Sequence, residues 1–174
     1  MRQLVLPLLL LLSACQGQGD AAEAAKAVRA YDDALVRAYA GGDAKPLADL
    51  ATAKELGRVQ VLVDLKSAAK LVLESRIEAF EVTSSSASGD AATVETRERW
   101  RYHDRHLEPG KQDGPDFVAD MKMRYELVRE GGRWKVGTVS TLSNEYLEPK
   151  GGKPAVGHGK GPAHGEGAKP APSP

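Results

Sequence analysis

Two stretches of strict alternation constrain this chain more than anything else in it. In the first, Val94, Thr96, Glu98, Trp100 and Tyr102 point one way while Glu95, Arg97, Arg99 and Arg101 point the other. In the second, Met121, Met123, Tyr125 and Leu127 oppose Lys122, Arg124 and Glu126. Successive side chains of a strand leave on opposite faces, so this period of two specifies long antiparallel strands with one apolar and one wetted face. Gly131-Gly132 follows the second stretch and suits a tight hairpin into a closing strand with Trp134, Val136 and Val139, ending near Thr141. Upstream, the pattern changes to period two from about Leu71. A first strand is expected near Glu78 to Thr83, with the Ser84 to Asp90 cluster as its turn and a polar loop from His103 to Asp116.

The segment before the strands reads as helix. Asp20-Ala21-Ala22-Glu23 has capping-box spacing, and Val28, Tyr31, Leu35 and Tyr39 fall on one face until Gly41-Gly42 stops the run. Asp43 to Ala51 reads as a short second helix. Thr52-Ala53-Lys54-Glu55 is another capping box, launching a third helix with Leu56, Val59 and Leu62 inward. Three N-terminal helices packed on a curved antiparallel sheet of about four strands make an α+β layer plan.

That order resembles the NTF2-like, or cystatin-like cone, superfamily. Met123-Arg124-Tyr125-Glu126-Leu127-Val128 with Gly132-Arg133-Trp134-Lys135-Val136 looks like its last hairpin. Thr93-Val94-Glu95-Thr96-Arg97-Glu98-Arg99-Trp100 is similar to the central strand of bacterial members, including those related to the plastid-division ARC6-type domain. The likeness spans roughly Ala24 to Thr141. It implies a hollow between sheet and helices, which members use for isomerisation, dehydration, small-molecule binding or protein binding.

Before the helices, Met1-Arg2 gives a positive start, Leu4 to Leu12 an apolar run broken only by Pro7, and Leu12-Ser13-Ala14-Cys15 a small-residue close. The run is about half the roughly 20 apolar residues that cross a bilayer, so it reads as a signal peptide. Its last four residues resemble the bacterial lipobox, which implies a diacylglyceryl thioether and an N-acyl chain on Cys15. Two or three chains hold durably at about 0.8 kcal/mol per buried methylene. Ordinary secretion with a free Cys15 thiol is the alternative. Cys15 is the sole cysteine, so no intramolecular disulfide exists. Gln16 after the cysteine implies, through the same resemblance, the periplasmic face of the outer membrane. The expected organisation is signal peptide 1-14, lipidated start and tether 15-20, domain 21-149, and a Gly/Pro/Lys/His tail 150-174 too poor in apolar residues to pack, hence disordered. Gln16 to Asp20 would reach at most roughly 17 Å when extended.

Lys plus Arg equals Asp plus Glu at 24 each, so there is no global basic field of the kind that holds nucleic acid. Partners are expected instead to be the bilayer, through acylated Cys15, and an envelope protein or a small apolar ligand. Glu98 is the one candidate general base, because alternation sets it on the apolar face beside Trp100, where desolvation raises a carboxyl pKa. Neutralisation by a neighbour is its simpler fate. Tyr31, Glu98, Trp100, Tyr102, Met121, Met123 and Tyr125, with Trp134 beside them, are candidates to line an apolar pocket or to fill the core. Asp32 lies about 80° from the centre of the helix stripe, so exposure is its default. His103 and His106 with Asp113 and Asp116 fall short of a full ligand set, so no metal or cofactor is assigned. Arg97, Arg99, Arg101, Lys122 and Arg124 form an outward basic ridge expected to pair across strands with Glu95 and Glu126, or else with an acidic protein.

Overall fold

The computed structural model describes residues 13–108 and 111–148. Helix α1 runs Ser13–Gly41, a single 3-10 turn follows at Lys45–Leu47, and α2 runs Ala53–Ala68. Strands β1 (Leu71–Ser88), β2 (Ala91–His106), β3 (Gln112–Glu130) and β4 (Arg133–Glu148) form one sheet in the order β1-β2-β3-β4, every neighbour antiparallel. The architecture is α+β, an open four-stranded meander with two helices packed on it.

The helical half departs from the expectation of three helices. The second collapses to the 3-10 turn because the chain must leave helical geometry to reach the sheet. Thr52 N–H donates to the Val136 carbonyl at 2.9 Å and Val136 N–H to the Leu50 carbonyl at 2.8 Å, pinning Ala51 beside β4. The third helix starts where Thr52 places it, with the Thr52 hydroxyl oxygen accepting from Glu55 N–H. Only half of a capping box forms. The Thr52 N–H that Glu55 would satisfy already belongs to Val136, which frees the Glu55 carboxylate for the interior. Val59 and Val63 are the buried apolar residues of α2, with Leu56 and Leu62 at the margins.

Helix α1 also begins earlier than Asp20, so the segment expected as an extended leash, Gln16 to Asp20, is helical and spans about 7.5 Å at 1.5 Å per residue. Asp20 is therefore no cap; its carboxylate pairs with Arg129 of β3 at 2.5 Å. The helix stops at Gly42, whose φ of 64° is left-handed, while Asp43 N–H returns to the Ala38 carbonyl at 3.1 Å. Leu12 of the lipobox-like end, the rest of the expected signal segment and the expected tail from Lys150 lie outside the described residues, as do the side chains of Ser13, Ala14 and Cys15.

The strands are longer than the alternation alone marks out. β1 continues through Ser88, leaving only Gly89-Asp90 to turn, and β4 runs past Thr141 to Glu148. Within the stretch from His103 to Asp116, expected as loop, His103 to His106 and Gln112 to Asp116 are strand. Side chains pair across its strands: Glu74 takes Arg105 at 2.7 Å and lies 3.1 Å from one His103 nitrogen, and Asp116 lies 3.0 Å from the other. Gly131-Gly132, both at positive φ, close the β3–β4 hairpin as expected. Register shifts in β1 and β4 are bulges that bend the long strands around α1.

Candidate functional site

Residues opposite one another in an antiparallel ladder share a face, so the register orders the concave side of the sheet into rows. Val94, Tyr125 and Val139 make one row; Thr96, Met123 and Thr141 the next; then Glu98, Met121 and Asn144; then Trp100, Ala119 and Tyr146; and finally Tyr102 with Phe117. The first rows lie in the core with α1, and the last are half open.

At the covered end, the buried side chains of α1 are Ala24, Val28, Tyr31, Asp32, Ala34 and Ala38. At 100° per residue that arc is about 160° wide, because the helix touches β1, β2 and β4 at once. Asp32, expected to be exposed, falls inside it and is fully buried. Single-stripe reasoning missed this because a helix cradled in a bent sheet buries both flanks of its stripe.

Glu98 is likewise buried, on the face the alternation assigned. Its Oε1 accepts from the Thr96 hydroxyl at 2.5 Å, and its Oε2 accepts from the Trp100 indole N–H at 2.6 Å. The Tyr125 hydroxyl lies 2.8 Å from Glu98 Oε1 and 3.0 Å from Asp32 Oδ1. Burial, then the Glu98 charge, holds the Asp32 carboxyl well above the ordinary aspartate range. Burial and the two carboxyls push the Tyr125 phenol up as well. Tyr31 sits edge-on to Tyr125, ring centroids 6.3 Å apart, and donates to Glu55, which Arg58 binds through two nitrogens. Each Glu98 oxygen is thus occupied from within the protein, and the side chain is buried.

Toward the open end, Trp100 is still nearly buried, but Tyr102, Phe117, Met121 and Met123 are half-buried and Tyr146 is exposed. Tyr102 stacks on Phe117 at 5.7 Å, and burial, then its hydrogen bond with Tyr146, pushes its phenol up. These side chains form an apolar, aromatic and thioether surface. The expected pocket residues therefore divide: Tyr31, Glu98 and Tyr125 belong to a closed polar core, while Trp100, Tyr102, Met121 and Met123 reach the half-open surface. Phe117 and Tyr146 join that surface unforeseen, because one lay beside the stretch read as loop and the other beyond the expected end of β4. Trp134 is elsewhere, buried in the main core with the Arg129 guanidinium 4.3 Å over its ring.

On the outward face, Arg124 pairs with Glu95 at 2.6 Å as expected, but Arg99 takes Asp120 and Arg101 takes Glu78, each at 2.7 Å. The ridge is therefore largely neutralised within the sheet. Among the described residues no group of three or more His, Cys, Asp or Glu is placed to hold a metal, and no helix is long and apolar enough to cross a membrane. A cleft of about 240 Å³ opens between the end of α1 at Ala40 and Ser75, Arg76, Arg101, His103 and Asp116, away from Glu98.

The fold has counterparts among solved structures. The intermembrane-space region of the chloroplast protein ARC6 is similar with a TM-score of 0.60 and 21% identity, over 71% of this chain and 97% of that one. A protein from Kribbella flavida is similar over 74% of this chain and 94% of that one, at 16% identity and a TM-score of 0.47. The first likeness establishes an ARC6-like fold. No protein-family model matches the chain, and comparison with curated protein sequences finds no match.

Proposed function

We propose that this chain is a membrane-anchored envelope lipoprotein whose domain is a non-catalytic binding module, taking a protein partner or a small apolar ligand on the concave surface around Tyr102, Phe117, Met121, Met123 and Tyr146. The observation that carries the reading is the division of the concave face. The one candidate base, Glu98, is closed in by three hydrogen-bonding neighbours, whereas Met121 and Met123 next to it and the Tyr102–Phe117 row beyond it stay half open. Rings with few torsions bind at little entropic cost, and thioethers adapt to irregular shapes. The alternative, a lyase or isomerase using Glu98, would require a substrate to displace Trp100 or Tyr125 from that carboxylate.

Anchoring follows from the lipobox-like end at Cys15, with Gln16 directing the protein to the outer membrane. Supporting geometry comes from α1: its early turns are tied by Asp20–Arg129 to the hairpin end of the sheet. From Ala92 at that end to Tyr102, β2 rises about 34 Å at roughly 3.4 Å per residue. An anchor at Cys15 therefore holds the hairpin turns nearest the bilayer and turns the open surface toward the envelope space. The test is native mass spectrometry of the gently extracted lipoprotein beside its Tyr102→Ala/Met121→Ala variant. A bound species present in the first and lost from the variant supports the reading; the same mass in both, or turnover abolished by Glu98→Gln, contradicts it.

A further inference from the structure

We propose that Asp32, Tyr125 and Glu98 share protons as one unit bearing a single negative charge, with Asp32 the neutral member, and that loss of the Asp32 proton loosens α1 from the sheet as pH rises. Counting hydrogens leads there. The Tyr125 hydroxyl has one proton but sits within hydrogen-bond distance of two carboxyl oxygens, Glu98 Oε1 and Asp32 Oδ1. Its proton satisfies one contact, so the second is attractive only if that carboxyl supplies a proton of its own.

Glu98 is the poorer supplier. The Trp100 indole N–H has no lone pair to accept with, so it fixes Oε2 as an acceptor, and Oε1 already faces Thr96 as well as Tyr125. Asp32 is the better one. It is fully buried, its one hydrogen-bond partner among the described residues is Tyr125, and its Oδ2 has none there. An ionised Asp32 would be a second negative charge beside Glu98 in a dry interface, the arrangement that makes two carboxyls retain one proton. The chain of donation is then Asp32 Oδ1–H to Tyr125 oxygen, and Tyr125 O–H to Glu98.

The remaining groups around the unit leave this unchanged. On α1, Arg29 is engaged by Asp33 at 3.0 Å. Also on α1, Tyr31 meets Tyr125 edge-on, and the α2 residue it binds, Glu55, is held by Arg58. Burial and the neighbouring Glu98 raise the Asp32 carboxyl well above its ordinary value of 3.8. A carboxyl raised in the folded state stabilises the fold fully below its unfolded value, and that contribution disappears as pH climbs through the folded value.

The experiment compares urea unfolding of the full chain with that of Asp32→Asn from pH 5 to 9, with infrared spectra of both. Asparagine keeps an N–H for Tyr125 and cannot ionise. The unfolding constant of wild type relative to the variant is expected to rise about tenfold per pH unit until Asp32 ionises in the folded state. A carboxylic-acid carbonyl band present at pH 7 is expected to vanish in the variant. Glu98→Gln adds a discriminating arm: its amide donates to Tyr125, Tyr125 turns its proton to Asp32, and the acid band again disappears. A ratio independent of pH, no acid band in the wild type, or a band that survives Glu98→Gln overturns the proposal. If Asp32→Asn does not fold, the wild-type band, assigned by carbon-13 aspartate labelling, and the Glu98→Gln arm decide the matter.

Discussion

Tyr31 on α1 donates a 2.6 Å hydrogen bond to Oε1 of Glu55 on α2, and both side chains are buried. This contact links the two helices through a polar group in the interior. Tyr31→Phe removes the donor, while Arg58 continues to bind the carboxylate through both oxygens. A loss of about 1.5 kcal/mol is expected, the range for a hydrogen bond to a charged acceptor. The midpoint of urea unfolding measures it, and an unchanged midpoint would mean that the contact adds nothing net.

Gly42→Ala should destabilise the fold by about 1 kcal/mol, because a φ of 64° at the end of α1 is costly for any residue with a Cβ. A Cβ there would stand 3.5 Å from Val72 Cγ1, an ordinary contact, so the cost is conformational and not steric. Thermal unfolding should show a lower Tm for the variant. Gly57→Ala, in an open helical position, serves as the opposite control and should raise it.

Much of this fold was legible where local chemistry and tertiary structure agree. Thr52 caps α2, Gly131-Gly132 turns the last hairpin, and the alternation through Glu98 and Trp100 put both on the buried face. What the sequence hid was set by neighbours distant along the chain. Asp32 reads as exposed from α1 alone, and only a sheet bent around both flanks of the helix buries it. Residues 103 to 116 read as loop because they are polar, yet His103 on β2 lies between Glu74 on β1 and Asp116 on β3, at 3.1 and 3.0 Å. Asp43 to Ala51 has helical composition, but the Ala51 pairing with Val136 breaks it. For the candidate site, period two selected Trp100, Tyr102, Met121 and Met123, but it gave no means of separating them from Glu98 and Tyr125, which α1 covers with Tyr31 on its inner face.

Cys15→Ser tests the anchoring reading in its native host. The wild-type protein is expected to sediment with membranes and to take up labelled palmitate, and the variant to do neither. Equal membrane association of the two would remove the basis for the proposed orientation, because Asp20–Arg129 would then orient nothing relative to a bilayer.

Met121 and Lys122 are neighbours on β3 that leave on opposite faces of the sheet, one toward the half-open concave surface and one outward. Placing a photo-crosslinking residue at each position in turn, in living cells with the intact lipoprotein, tests the central claim most directly. The binding-module account predicts a discrete adduct, protein or lipid, from position 121 and none from position 122, with the adduct at 121 lost when Tyr102→Ala is added. Equal adducts from both positions, or adducts from 122 alone, would contradict it.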